Sequence, residues 1–158
     1  MKLLSEQEAL LKLTSLCSTA EHCRQEMRER MQRWQIDEET QGRILDHLTN
    51  HRFIDEERFC RAFAKDKIRY NKWGRRKVEQ ALLLKRIPID IQRKVLGEID
   101  EQEYLDVLLP LLASKRKDIQ GKNAYERNGK LMRFALQRGF TMDIIRRCME
   151  EDGRYEDD

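Results

Sequence analysis

The chain has little of what breaks a helix or thickens a core: two prolines, seven glycines and eleven aromatic residues in 158. No apolar run approaches the roughly 20 residues that cross a bilayer, which excludes a membrane-spanning helix. No stretch alternates apolar and polar residues as a half-buried strand does. The four cysteines, Cys17, Cys23, Cys60 and Cys148, form no CxxC pair, and no hydrophobic signal segment precedes them. They read as small core residues of a chain kept in a reducing cytoplasm.

The motifs of catalysis are missing too. There is no Walker-type phosphate loop, no GxGxxG, no HExxH and no GxSxG. His47 and His51 are spaced to share a helix face, but no third ligand is placed beside them, and the same holds for His22-Cys23. The many carboxylates read as helix caps and solvated faces rather than an acid–base pair. No enzyme, metal or cofactor is expected.

Charge is what the chain has in excess. Charged residues make up 39% of it, against about 25% for an average globular domain. Net charge is +3, unevenly spread. The final stretch "EEDGRYEDD" carries six acids against one arginine, so the body before it is strongly basic. An acidic tail of this kind (151–158), read as disordered, on a basic body suits a polyanionic partner, and equally suits solubility.

Helical spacing runs through nearly every window, as in Leu10, Leu13, Cys17 and in Leu105, Leu108, Leu109, Leu112. The pattern also repeats. Aligning Trp34-Gln-Ile36, Lys85-Arg-Ile87 and Arg138-Gly-Phe140 places Met31, Leu82 and Ala135 five residues before the third member. It also places Met27, Val78 and Leu131 nine before, and Ile44, Val95 and Cys148 eight after. Each copy reads as helix, short turn, helix. A further helix precedes each pair, capped by Ser5…Glu8, by Asp55 or by Asp100…Glu103. The expected fold is all-α: an elongated, curved array of three tandem three-helix repeats over 1–54, 55–99 and 100–150. The third repeat carries an extra segment near Asp118–Asn128, and Pro110 should kink its first helix or shift its boundary. Stacked short repeats of this kind present a long concave face and usually bind rather than catalyse.

The most distinctive stretch is "RYNKWGRRK" (69–77). Around it Lys65, Lys67, Arg69, Lys72, Arg75, Arg76 and Lys77 oppose one acid, Asp66. A solvated face would account for such a run. The other repeats, however, open their second helix with acid-bearing caps, Ser18…Glu21 and Asn123…Glu126. This one puts Arg75, Arg76 and Lys77 at the positive end of the helix dipole, at a cost of about 0.3–1 kcal/mol each. Free amides and these side chains together would form an anion site. Trp73 is placed either to stack on a base or to seal a seam between helices. Gly74 and Gly139 are read as turn residues, Gly74 ending a helix with positive φ. Lys130, Arg133 and Arg138 extend the basic stripe in the third repeat, followed by Arg146 and Arg147. Lys115-Arg-Lys117 sits where a helix C-terminus favours cations.

"FIDEERFCRAFAKDKIRYNKWGRRKVEQAL" (Phe53–Leu82) resembles the signature of the RecX family of bacterial regulatory proteins, with its "yIDdeRfA" start and "G-x-x-[KR]-[IV]" continuation. "KLMRFALQRGF" (Lys130–Phe140) resembles the family's third-repeat motif. The resemblance covers roughly residues 5–150. It implies a monomeric, non-enzymatic modulator that lodges in the groove of the RecA–DNA filament, contacts RecA and the phosphates of single- or double-stranded DNA, and restrains ATP hydrolysis and strand exchange by capping growth or promoting disassembly. A helical DNA-binding module independent of RecA and a generic protein scaffold remain as alternatives. One departure is local. The family commonly has glycine where this chain has Gln35 and Arg86, so closures other than left-handed are expected for those two turns.

Overall fold

The computed structural model describes residues 3–151. Among them the chain forms nine α-helices and no strand: α1 (Glu6–Thr19), α2 (Arg24–Arg33), α3 (Glu38–Asn50), α4 (Glu56–Arg69), α5 (Arg75–Leu84), α6 (Ile89–Gly97), α7 (Glu101–Arg116), α8 (Ala124–Gln137) and α9 (Met142–Glu151). None of these helices is long and apolar enough to cross a membrane. α7 runs through Pro110 to Arg116. From residue 152 onward, the expected acidic tail lies outside the described residues.

Short-range hydrogen bonds set most helix starts. Ser5 and Glu8 form a reciprocal capping box at α1, and Asp100 and Glu103 form another at α7. Asp37 accepts from the Thr40 amide, Asp55 from Arg58 and Asn123 from Glu126. Each cap satisfies amides that the helix itself leaves unpaired.

One expected cap is wrong. Ser18 lies inside α1 and its hydroxyl donates to the Ser15 carbonyl. α2 starts later, after Cys23, whose amide donates to Glu26 Oε1. The register follows from burial, because Cys23, Met27 and Met31 are all fully enclosed. Glu21, displaced from capping, instead pairs with Arg58 at 2.6 Å.

The three aligned turns are one motif. Ile36 N donates to Met31 O and Gln35 N to Gln32 O; Ile87 N to Leu82 O and Arg86 N to Leu83 O; Phe140 N to Ala135 O and Gly139 N to Leu136 O. These bond pairs define the Schellman closure, which needs a left-handed residue in the middle and brings two apolar residues together at its ends. Gln35 has φ 60° and Arg86 φ 55°, beside φ 94° at Gly139. The expectation of another closure at Gln35 and Arg86 therefore fails. Two satisfied carbonyls and an apolar clasp outweigh the roughly 1–2 kcal/mol that a Cβ costs in this conformation.

Two compact units result. Among the described residues, one comprises 3–63 together with Leu82–Val95, the other Ala64–Ala81 together with 96–151. The first is built around Ala9, Leu13, Met27, Met31, Ile44, Leu45, Leu48 and Ile54. At its edge Glu26 is partly buried, which works against its charge. The bonds it accepts from Lys85 Nζ and the Cys23 amide prevail, holding its carboxyl below the ordinary 4.5. In the second unit α7, α8 and α9 bury Leu105, Leu108, Leu131, Ala135, Phe140 and Ile145.

Replacing Gln35 or Arg86 with Gly should remove the left-handed strain at an exposed site. After the larger backbone entropy of the unfolded Gly chain is set against it, each substitution should stabilise by about 0.5–1 kcal/mol. Urea denaturation measures this; a loss of stability would show that the side chain contributes more than its strain costs.

Candidate anion-contact surface

The anion site expected at the start of α5 depends on free amides, and two of those amides are taken. Gly74 N donates to Arg138 O at 2.8 Å and Arg76 N to Gly139 O at 3.0 Å. The carbonyls of the α8–α9 turn thus cap α5 from outside it, which explains why its first turn holds no acid. The backbone half of the expected anion site is reduced accordingly, and side chains are left as its main donors.

The two glycines permit this approach. Gly74 is buried and is not in the left-handed region, contrary to its expected role as a helix-ending residue. Lys72 occupies that conformation instead, with φ 60°. What Gly74 supplies is the absence of a Cβ, since one built there would collide with the backbone of Gly139 and Phe140. Gly139 needs both properties, because its φ is positive and a Cβ would come within 2.6 Å of Lys77 N.

The seven cations of 65–77 do not form one patch. Lys65, Arg69 and Lys72 line a groove of about 440 Å³ against α7, facing Glu103 and Asp106. Arg75 and Arg76 line a different cavity of about 340 Å³ that also holds Glu79, Glu101 and Asp143. There Arg75 pairs with Glu79 at 2.7 Å, so the most conspicuous cations at the helix start lie among acids. Tyr104 borders the same cavity, and burial pushes its phenol up to about 12.

That leaves Lys67 and Lys77, which Trp73 brings together. Their ammonium groups lie 5.2 and 5.0 Å from the centre of its half-buried indole ring. The contact is a cation–π pair of the kind worth about 0.5–1 kcal/mol when exposed. It holds two positive charges on one rigid aromatic plate.

A second plate of the same construction stands on α8. Phe134 carries Lys115 at 5.1 Å and the Arg138 guanidinium at 5.4 Å. Its ring lines an open cavity of about 390 Å³ with Lys115, Lys130 and Arg133. Arg138 ties the Phe134 plate to the turn that carries Trp73, since its Nη1 also donates to the Asn71 carbonyl, two residues before Trp73. Lys130 is tied to Gln120 O and lies 3.9 Å from Glu126. Reading the sequence by charge alone passes over Phe134 and assigns Lys115 only to the helix dipole. The available signal is in the repeat, where the positions equivalent to Phe134 hold Arg30 and Ala81.

No group of three or more His, Cys, Asp or Glu side chains is placed to hold a metal ion among the described residues. The arrangement can instead hold an extended anion through cations that are pre-positioned on aromatic rings.

Comparison with known proteins gives matches along most of the chain. Residues 55–96 match the second three-helix domain of RecX, and residues 101–149 match its third. A regulatory protein RecX of Chlorobium limicola is 31% identical over 144 residues, covering 90% of this chain and 87% of that protein. One from Clostridium botulinum is 25% identical over 162 residues, covering 99% and 76%. The crystal structure of RecX from Lactobacillus salivarius has the same fold, with a TM-score of 0.80 at 17% identity over 94% of this chain and 96% of that one.

Gly74→Ala should destabilise by more than the roughly 1–3 kcal/mol of ordinary overpacking, because backbone rather than a pliable side chain stands in the way. Gly139→Ala adds the left-handed penalty to a similar collision. Urea unfolding followed by circular dichroism checks both; a loss below about 1 kcal/mol for either would mean that the two turns part readily.

Proposed function

The chain belongs to the RecX family of regulatory proteins, and from that premise we propose that it binds the RecA–DNA filament and restrains ATP hydrolysis and strand exchange by RecA. It does so as a cytoplasmic monomer and without catalysis of its own. The observation that carries the molecular part of this reading is the pair of linked aromatic plates. Trp73 with Lys67 and Lys77 is joined through Arg138 to Phe134 with Lys115.

A filament on DNA offers a regular line of phosphates. A strip of cations on rigid plates meets such a line with little loss of side-chain freedom, and the rings can bear on bases where the strand is exposed. Lys130 and Arg133, at the rim of the Phe134 cavity, lengthen the strip. A protein fixed this way across neighbouring RecA subunits opposes the rearrangements that accompany extension and ATP turnover. Capping of growth and promotion of disassembly are both consistent with that mode of binding.

In a titration against RecA from the same organism, DNA-dependent ATP hydrolysis should fall as the protein approaches stoichiometric amounts at moderate salt. An unchanged rate would sink the proposal. The strip is tested separately. The double variant Lys67→Ala, Lys77→Ala should lower DNA affinity across all sequences and reduce the salt slope of binding by about one unit for each phosphate that is no longer neutralised. If the slope is unchanged while the variant still inhibits RecA, the plates face protein rather than DNA.

A further inference from the structure

We propose that the groove between α4 and α7 is a docking site for a protein segment of mixed charge, an apolar ridge with one acidic and one basic edge. This is independent of the nucleic-acid strip, and it gives Lys65, Arg69 and Lys72 a different partner from the one their sequence context suggests.

The groove follows from helix geometry. On α4 Lys65, Ile68 and Arg69 stand at i, i+3 and i+4, and Lys72 follows in the turn after the helix; on α7 Glu103, Asp106, Val107, Pro110 and Leu111 stand at i, i+3, i+4, i+7 and i+8. One face of each helix therefore looks into the 440 Å³ space. Its floor is apolar: Ile68 is buried, and Val107 and Leu111 are half-buried. A volume of this size falls within the range that holds a ligand or a few apolar anchors.

The walls are opposite in sign. Lys65, Arg69 and Lys72 are exposed on the α4 side, and Glu103 and Asp106 are exposed on the α7 side. Among the described residues none of these five forms an ion pair. Lys72 Nζ donates to the Arg69 carbonyl, Glu103 accepts from the Asp100 amide and Asp106 from the Gln102 side chain. Two rows of complementary charge thus flank an apolar floor without neutralising each other.

That pattern selects the occupant. A nucleic-acid strand is disfavoured, because its phosphates would meet Glu103 and Asp106 along one whole edge. A purely apolar helix would leave both rows unused. An amphipathic segment with acids toward α4 and bases toward α7 satisfies floor and walls together, in the helix-in-groove manner. Reversing such a segment end for end exchanges its edges, so a mixed-charge peptide always has one orientation that fits.

The test uses the full chain and three short amphipathic peptides with the same Leu anchors. Their edges are Glu and Lys, Glu on both sides, or Lys on both sides. Binding is followed by calorimetry and by amide shifts at Val107 and Leu111. The mixed peptide should bind tightest, by about fivefold, as expected for two or three exposed ion pairs. The double variant Lys65→Glu, Arg69→Glu turns the α4 wall net acidic, with Lys72 its one remaining cation, and should transfer that preference to the Lys-only peptide. Both positions are exposed, so the fold is not at risk, and a thermal melt confirms it. Equal affinities for the three peptides, no binding by any, or an order unchanged by the double variant would each overturn the proposal. So would an oligonucleotide that shifts the groove amides while leaving Trp73 unmoved.

Discussion

Two backbone hydrogen bonds, from the amides of Gly74 and Arg76 to the carbonyls of Arg138 and Gly139, decide how the candidate site is assembled. They require two stretches of main chain to touch, and that is possible only because neither Gly74 nor Gly139 has a Cβ to intervene. The contact satisfies the start of α5 without an acidic side chain and puts the α8–α9 turn beside the α4–α5 turn. The guanidinium of Arg138 can then reach both Phe134 and the Asn71 carbonyl. Without that junction Trp73, in the α4–α5 turn, and Phe134, on α8, would be two unrelated aromatics.

The same junction determines what the basic run can mean. In sequence, seven cations in thirteen residues look like one surface. In the fold, helix geometry distributes them among three surroundings. Lys65, Arg69 and Lys72 look toward the acids of α7, Arg75 and Arg76 toward Glu79, Glu101 and Asp143, and Lys67 and Lys77 toward Trp73. Among these seven, only the last pair is held on an aromatic plate, in the turn that Arg138 ties to the Phe134 plate. A polyanion and a protein segment can therefore be received by neighbouring parts of one unit through different residues of the same run.

The repeated turns show how local chemistry and strain are reconciled. Met31 with Ile36, Leu82 with Ile87 and Ala135 with Phe140 are the apolar ends of three identical closures. That is why five-residue spacing between apolar positions recurs in the sequence. Only Gly139 adopts the left-handed conformation without cost. Gln35 and Arg86 are forced into it by the bonds on either side, which hold whatever residue stands between them.

By itself the sequence determined whatever depends on neighbours a few residues apart. The apolar spacing specified the helices, Ser5, Asp55, Asp100 and Asn123 specified where four of them start, and the repeated apolar pairs marked the turns. A resemblance in two motifs also sufficed to indicate the family. Tertiary structure alone decided the start of α2, where burial of Cys23 overrode a plausible cap at Ser18. It also decided the role of Gly74, the partners of the α5 amides and the face toward which each cation points. These depend on atoms far apart along the chain, which no local pattern records. Charge in particular is legible as composition, but its action depends on distance and on the sign of what lies opposite, and only the packed helices supply those.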